Sequence, residues 1–191
     1  MVIVLRENSR EEDMFIHRST KYAGVVIHVS HEVYQEALAA VAEGPSVEGS
    51  TLEEVLDRQY EDMFFVEAQA PFLQFVRLHG ARRGCSEIHV LNAHGGSKDG
   101  TWVYQDKSRL LSLQTWINRQ GKQAAAIVLT VCNTHGLTVK SRHVPIFIPD
   151  RNVGSGFAFI DEVNYTMRLP DGEEVDLYTI DYHLKRIRSR T

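Results

Sequence analysis

Apolar and polar positions along this chain fall into two rhythms. Short continuous apolar runs rich in β-branched residues predict buried strands, and longer stretches with apolar residues every three or four positions predict helices. Residues 2–5 and 22–29 are the first two strands on this reading. A helix follows over residues 31–42 and is stopped by Glu43-Gly44-Pro45. Thr51-Leu52-Glu53-Glu54 fits a capping box, and Leu52, Val55, Leu56, Gln59, Met63 and Phe64 then share one helical face. Pro71 interrupts this element, with a second helical piece expected over residues 72–78.

Two apolar blocks come next. Ile88-His89-Val90-Leu91-Asn92-Ala93 runs into His94-Gly95-Gly96, and Ala126-Ile127-Val128-Leu129-Thr130-Val131 runs into Cys132-Asn133-Thr134-His135-Gly136. Between them, residues 97–102 read as a glycine-containing loop. Asp106 or Ser108 reads as the cap of a helix whose apolar stripe is Leu110, Leu113 and Ile117, stopped by Gly121. Strand, loop, helix, strand is the layout of a right-handed parallel crossover. Further on, Pro145 and Pro149 in residues 143–149 suggest an extended edge segment. Val163, Tyr165, Met167 and Leu169 alternate with polar residues, Pro170-Asp171-Gly172 signals a turn, and Val175, Leu177 and Thr179 resume the alternation. That predicts a C-terminal antiparallel hairpin appended to a mainly parallel sheet flanked by helices. The basic tail, 185–191, reads as a solvated end.

Composition narrows the class. With 191 residues, 43% hydrophobic and 24% charged, the chain reads as a single α/β domain over residues 1–191 with a sizeable core. A formal net charge of -4 gives no electrostatic basis for binding nucleic acid. No stretch of about 18 apolar residues is present, so no membrane span is expected. Two cysteines, Cys85 and Cys132, do not make a disulfide framework, which fits a reducing, cytoplasmic setting.

The chemistry-bearing residues stand where the two apolar blocks stop. Parallel neighbours would deliver His94 and Cys132 to the same carboxyl edge of the sheet, where open α/β folds place their sites. A thiol becomes a strong nucleophile near neutral pH when a base stands beside it, and imidazole is the usual partner. Each residue alone also has an ordinary structural explanation: cysteine as a small core residue, His-Gly as a turn. Their occurrence at successive strand ends is what points to a Cys–His dyad. Asn92, Asn133 and His135 flank the pair as candidate substrate contacts. His28 and His31 bracket the end of the 22–29 strand, and Cys85 follows Arg82-Arg83-Gly84 in a turn.

An apolar block ending in His-Gly, followed after one helix by an apolar block ending in Cys, resembles the caspase-like cysteine peptidases (caspases, legumains, clostripains, separases and the bacterial CHAT proteases). The resemblance covers roughly residues 22–133. It implies a three-layer caspase-like sandwich with the histidine and the cysteine ending neighbouring parallel strands. It also implies peptide-bond cleavage through a thioester, with His94 as base, Cys132 as nucleophile and the Gly95 amide at an oxyanion hole. No cofactor and no metal are implied. The substrate would be a peptide or protein, and a homodimer or larger partner complex is compatible with the chain. Two positions depart from the family pattern: Val131 stands where Ala or Ser commonly precedes the nucleophile, and glycine returns only at Gly136.

Two other readings belong beside this one. Leu91-Asn92-Ala93-His94-Gly95-Gly96 is also similar to the strand end of creatininase-type metal-dependent amidohydrolases, which would make His28, His31, Glu32 and His94 candidate ligands. The third is a catalytically silent binding module on a caspase-like or flavodoxin-like fold. Against a flavin or nucleotide domain, Ser30-His31-Glu32 follows the 22–29 strand where a glycine-rich phosphate loop would be needed.

Overall fold

The computed structural model describes residues 14–18, 24–43, 54, 84–131, 139–149 and 165–176. The expected strand at 2–5, nearly all of the 51–78 helical region and the basic tail lie outside them. So do Val163, Leu177 and Thr179.

The two apolar blocks form the centre of a seven-stranded sheet. Strands β1 (Phe15–Arg18) and β2 (Val25–Val29) lead from one edge to the first of these blocks, β3 (Ile88–Ala93). The short strands β4 (Gly95–Lys98), β5 (Thr101–Asp106) and β6 (Arg109–Ser112) form a separate three-stranded sheet. Strands β7 (Ala126–Val131), β8 (Ile146–Pro149), β9 (Tyr165–Arg168) and β10 (Glu174–Asp176) complete the large sheet in the order β1-β2-β3-β7-β8-β9-β10. Helix α1 (His31–Glu43) follows β2, and helix α2 (Leu113–Gln120) connects β6 to β7. Among the described residues, no helix is long and apolar enough to cross a membrane.

Strands β2, β3, β7 and β8 run parallel, whereas β1, β9 and β10 pair antiparallel on the two sides. The sheet is therefore mixed, with a parallel centre. Every residue of β2, β3 and β7 is buried, which explains why these strands read as unbroken apolar runs. Register comes from strand entries as well as from side chains. The Ile88 amide donates to the Gly24 carbonyl at 2.6 Å, Ala125 to Glu87 at 2.7 Å, and Ile127 to Pro145 at 3.0 Å.

Period-two geometry then sorts the side chains onto two faces. Leu91 and Ala93 pair in register with Leu129 and Val131, and these residues pack with Leu113, Trp116 and Ile117 of α2 in one apolar cluster. Helix α2 starts where the Ser112 hydroxyl accepts the Thr115 amide at 3.3 Å. Its arginine and asparagine positions face outward while Leu113, Trp116, Ile117 and Gln120 are buried, as an amphipathic helix requires.

Three expectations change. Residues 97–102 are not a loop. They belong to the β4–β5 hairpin, which turns at Asp99 (φ 51°) and Gly100 (φ 73°). Two successive left-handed residues are what a tight two-residue hairpin needs, and Asp-Gly supplies them. Leu110 accordingly lies on β6, half exposed, rather than on the helix stripe, and the α2 cap is Ser112 instead of Asp106 or Ser108. Finally, β8 is an interior strand between β7 and β9. Pro145 precedes the strand and offers only its carbonyl, and Pro149 is the strand's last residue, so neither ring displaces an interior ladder donor. The C-terminal hairpin forms as expected, its turn closed by Gly172 donating to Leu169 at 2.9 Å with φ 89° at the glycine.

Candidate active-site edge

The carboxyl ends of β2, β3 and β7 are held in line by their register: Val29 opposite Asn92, and Ala93 opposite Val131. At this edge the chain leaves β2 through Ser30, whose amide donates to the Asn92 carbonyl at 3.0 Å, and enters α1 at once. The first two turns of α1 thus begin beside the end of β3. His94 follows β3, and its Nε2 lies 2.7 Å from Oε1 of Glu36 on α1. The pair is part-exposed, with 32% and 42% of the His94 and Glu36 side chains accessible.

The small sheet ties these elements together. The Gln105 amide donates to the His94 carbonyl at 2.7 Å. The neighbouring residue, buried Asp106, turns its Oδ1 to the His31 amide at 2.9 Å and so satisfies a donor of the first helical turn. The Gln105 side chain reaches Oε1 of Glu32 at 3.4 Å. One strand, β5, therefore braces both the backbone of His94 and the start of the helix that carries Glu36. Ser30 Oγ and Glu32 Oε2 are buried without a hydrogen-bond partner among the described residues.

The sequence-predicted residues distribute as follows around this edge. His94 stands on it. Gly95 opens β4 opposite Tyr104. Asn92 is buried within the sheet, and its carbonyl holds Ser30. His31 is the first residue of α1, with its ring 6.3 Å from that of Phe15. Cys132, Asn133 and His135 lie outside the described residues. Cys85 is part-buried ahead of β3.

His28 lies in the core instead of at the edge. It meets His89 (Nε2 to Nδ1, 3.1 Å) and stacks edge-on against Trp116 with ring centroids 5.2 Å apart. His89 also meets Gln120 Oε1 at 2.8 Å and Glu87 Oε2 at 3.3 Å. The proposed metal ligands His28, His31, Glu32 and His94 consequently do not converge. No group of three or more His, Cys, Asp and Glu among the described residues could hold a metal ion.

Glu36, Gln105 and the α1-capping role of Asp106 were not legible in the sequence. An outward glutamate on an amphipathic helix looks like any solvated position. The usable signal was positional: a helix beginning at the end of one parallel strand sets its first turns beside the next strand's end. Comparison with protein-family models, curated proteins and solved structures finds no match to this chain.

Proposed function

We propose that the chain is a caspase-like cysteine peptidase with a three-layer build, in which Cys132 attacks a peptide carbonyl and His94 moves the protons. One observation carries this reading. Ala93 and Val131 are register partners at the ends of adjacent parallel strands, and the residues that follow them in the chain are His94 and Cys132. Neighbouring strands lie about 4.8 Å apart, a spacing compatible with a thiol–imidazole pair.

The chemistry then follows from the residue types. The Cys132 thiol gives its proton to His94 and the sulfur forms a bond to the substrate carbonyl carbon. The resulting oxyanion is met by backbone amides at this edge, with those of Gly95 and Cys132 as candidates. Collapse breaks the carbon–nitrogen bond, and the departing amine takes the proton from His94. Water, activated in turn by His94, hydrolyses the thioester and restores the thiol.

The test is covalent labelling with acyloxymethyl-ketone peptides bearing Arg, Lys, Asp, Asn or Leu at the reactive position. Peptide mapping should place a single adduct on Cys132, retained in Cys85→Ala and lost in Cys132→Ala and His94→Ala. An adduct confined to Cys85, or silence from a folded protein across the whole panel, would overturn the reading.

A further inference from the structure

We infer that the cavity between the C-terminal end of α2 and the turn leading into β8 binds a small phosphate-bearing anion, either inorganic phosphate or the phosphomonoester of a small molecule. The cavity lies where β7 and β8 begin, at the amino edge of the parallel strands and opposite the edge that carries His94. It is therefore independent of the peptidase reading. Its volume is about 230 Å³, and its polar walls are Asn118, Lys122, Ser141, Arg142 and His143. Pockets for drug-sized ligands run to roughly 300–1,000 Å³, so this space suits an oxyanion with a short organic body.

Every polar side chain lining the cavity has a hydrogen to give. The Ser141 hydroxyl is buried, and its oxygen accepts the amides of His143 at 3.3 Å and Val144 at 3.1 Å. Both lone pairs are then used, and the O–H itself makes no hydrogen bond to a described residue. Only an acceptor completes it. Asn118 is oriented by Gln114, whose own amide faces both backbone groups of Lys140: Nε2 donates to the Lys140 carbonyl at 2.8 Å, and Oε1 accepts the Lys140 amide at 3.1 Å. That fixes which end of Gln114 is nitrogen. The second hydrogen on Nε2 goes to Asn118 Oδ1 at 2.9 Å, so Asn118 has its Nδ2 group left to donate. The same bonds clamp the chain entering the 141–144 turn onto α2, which holds the two walls of the cavity together.

Lys122 and Arg142 are donors only, and their side chains form no ion pair or hydrogen bond with a described residue. Two cations with a buried hydroxyl donor and an amide donor select a ligand that only accepts. A carboxylate offers two oxygens, whereas a phosphate offers more and meets donors arriving from both walls, with arginine well suited to a bidentate contact. The helix end does not oppose this strongly: the Ile117, Arg119 and Gln120 carbonyls are already covered by the amides of residues 121–124. Lys122, Arg142 and His143 are exposed, so solvent screens their charge and sets the affinity at about the millimolar level.

The experiment titrates inorganic phosphate and glycerol 3-phosphate into the ¹⁵N-labelled full chain, with sodium chloride at matched ionic strength as control. Saturable amide shifts should centre on residues 118–122 and 141–144 with both phosphates and be absent with chloride. Lys122→Gln and Arg142→Gln should each weaken binding about three- to ten-fold. Asn118→Asp keeps the oxygen that Gln114 needs and sets a negative charge against the ligand, so a native spectrum with binding weakened about ten-fold or more is expected. Shifts that fail to saturate, or that chloride reproduces, would overturn the inference. So would wild-type affinity in Asn118→Asp together with wild-type affinity in the Lys122→Gln, Arg142→Gln double variant, whose exposed positions leave the fold intact. Vesicles of phosphatidic acid in phosphatidylcholine form the last arm: binding to them without any response to the two soluble phosphates would replace the small ligand with a lipid surface.

Discussion

Asp106 Oδ1 accepts the backbone amide of His31 at 2.9 Å, so a strand of the small sheet caps helix α1 across 75 residues of chain. Asp106 is only 4% exposed, and its removal would leave a helix-start donor without its acceptor. Asp106→Ala should therefore destabilise the protein by about 1–2 kcal/mol. Urea unfolding gives the magnitude. Amide hydrogen exchange should show the loss concentrated in the first turn of α1; a uniform change across the sheet would contradict the capping role.

Gly24 and Gly100 both have left-handed backbones, with φ of 99° and 73°, yet they should respond differently to alanine. A Cβ at Gly24 would sit 2.9 Å from the Ser86 carbonyl oxygen, whereas one at Gly100 would meet nothing within 4 Å. Gly100→Ala should lose about 1–2 kcal/mol, the left-handed penalty alone. Gly24→Ala adds a backbone clash at the β2–β3 entry and should lose more, about 2–4 kcal/mol. Parallel denaturation curves test the ranking, and equal losses would show that the entry can shift without strain.

The buried His28–His89–Gln120 cluster has a one-sided vulnerability. Gln120 is 2% exposed and its Oε1 faces His89 Nδ1 at 2.8 Å. Replacing Gln120 with Leu removes one partner and leaves a polar ring in the core, so a loss of about 1–3 kcal/mol is expected. A double replacement, His89→Leu with Gln120→Leu, removes both partners of that bond but takes from buried His28 its 3.1 Å contact with His89, so it should recover only the share of the loss that belongs to the His89–Gln120 pair. A thermodynamic cycle on the two positions measures the coupling.

Trp116 fills the space between α2 and the sheet, but its Nε1 is buried without a hydrogen-bond partner among the described residues. Trp116→Phe keeps most of the apolar area and deletes the unsatisfied donor, so its net effect should stay below about 1.5 kcal/mol. Trp116→Ala opens a cavity and should lose about 3–5 kcal/mol. A phenylalanine variant as damaged as the alanine one would mean that the indole nitrogen has a partner.

How much was legible from sequence depends on whether the deciding interaction is local. Strands β3 and β7 announced themselves as apolar runs because both of their faces are buried, and α1 did so through its apolar spacing. The small sheet between His94 and Leu113 was missed although Asp99-Gly100 carried a hairpin signal, because three short strands with partly exposed faces lack a strong apolar pattern. The prolines of 143–149 suggested an edge, yet β8 lies inside the sheet because its neighbours need only the groups that those prolines still offer.

The candidate site divides along the same line. Sequence by itself determined that a histidine and a cysteine stand at the ends of two consecutive apolar blocks, since chain order and residue type are local properties. Tertiary structure decided that those blocks are adjacent and in register, that His28 belongs to the core, and that Glu36 meets His94 across 58 residues. The physical reason is that a hydrogen bond between distant residues depends on how helices and strands pack together, which no single stretch of chain encodes.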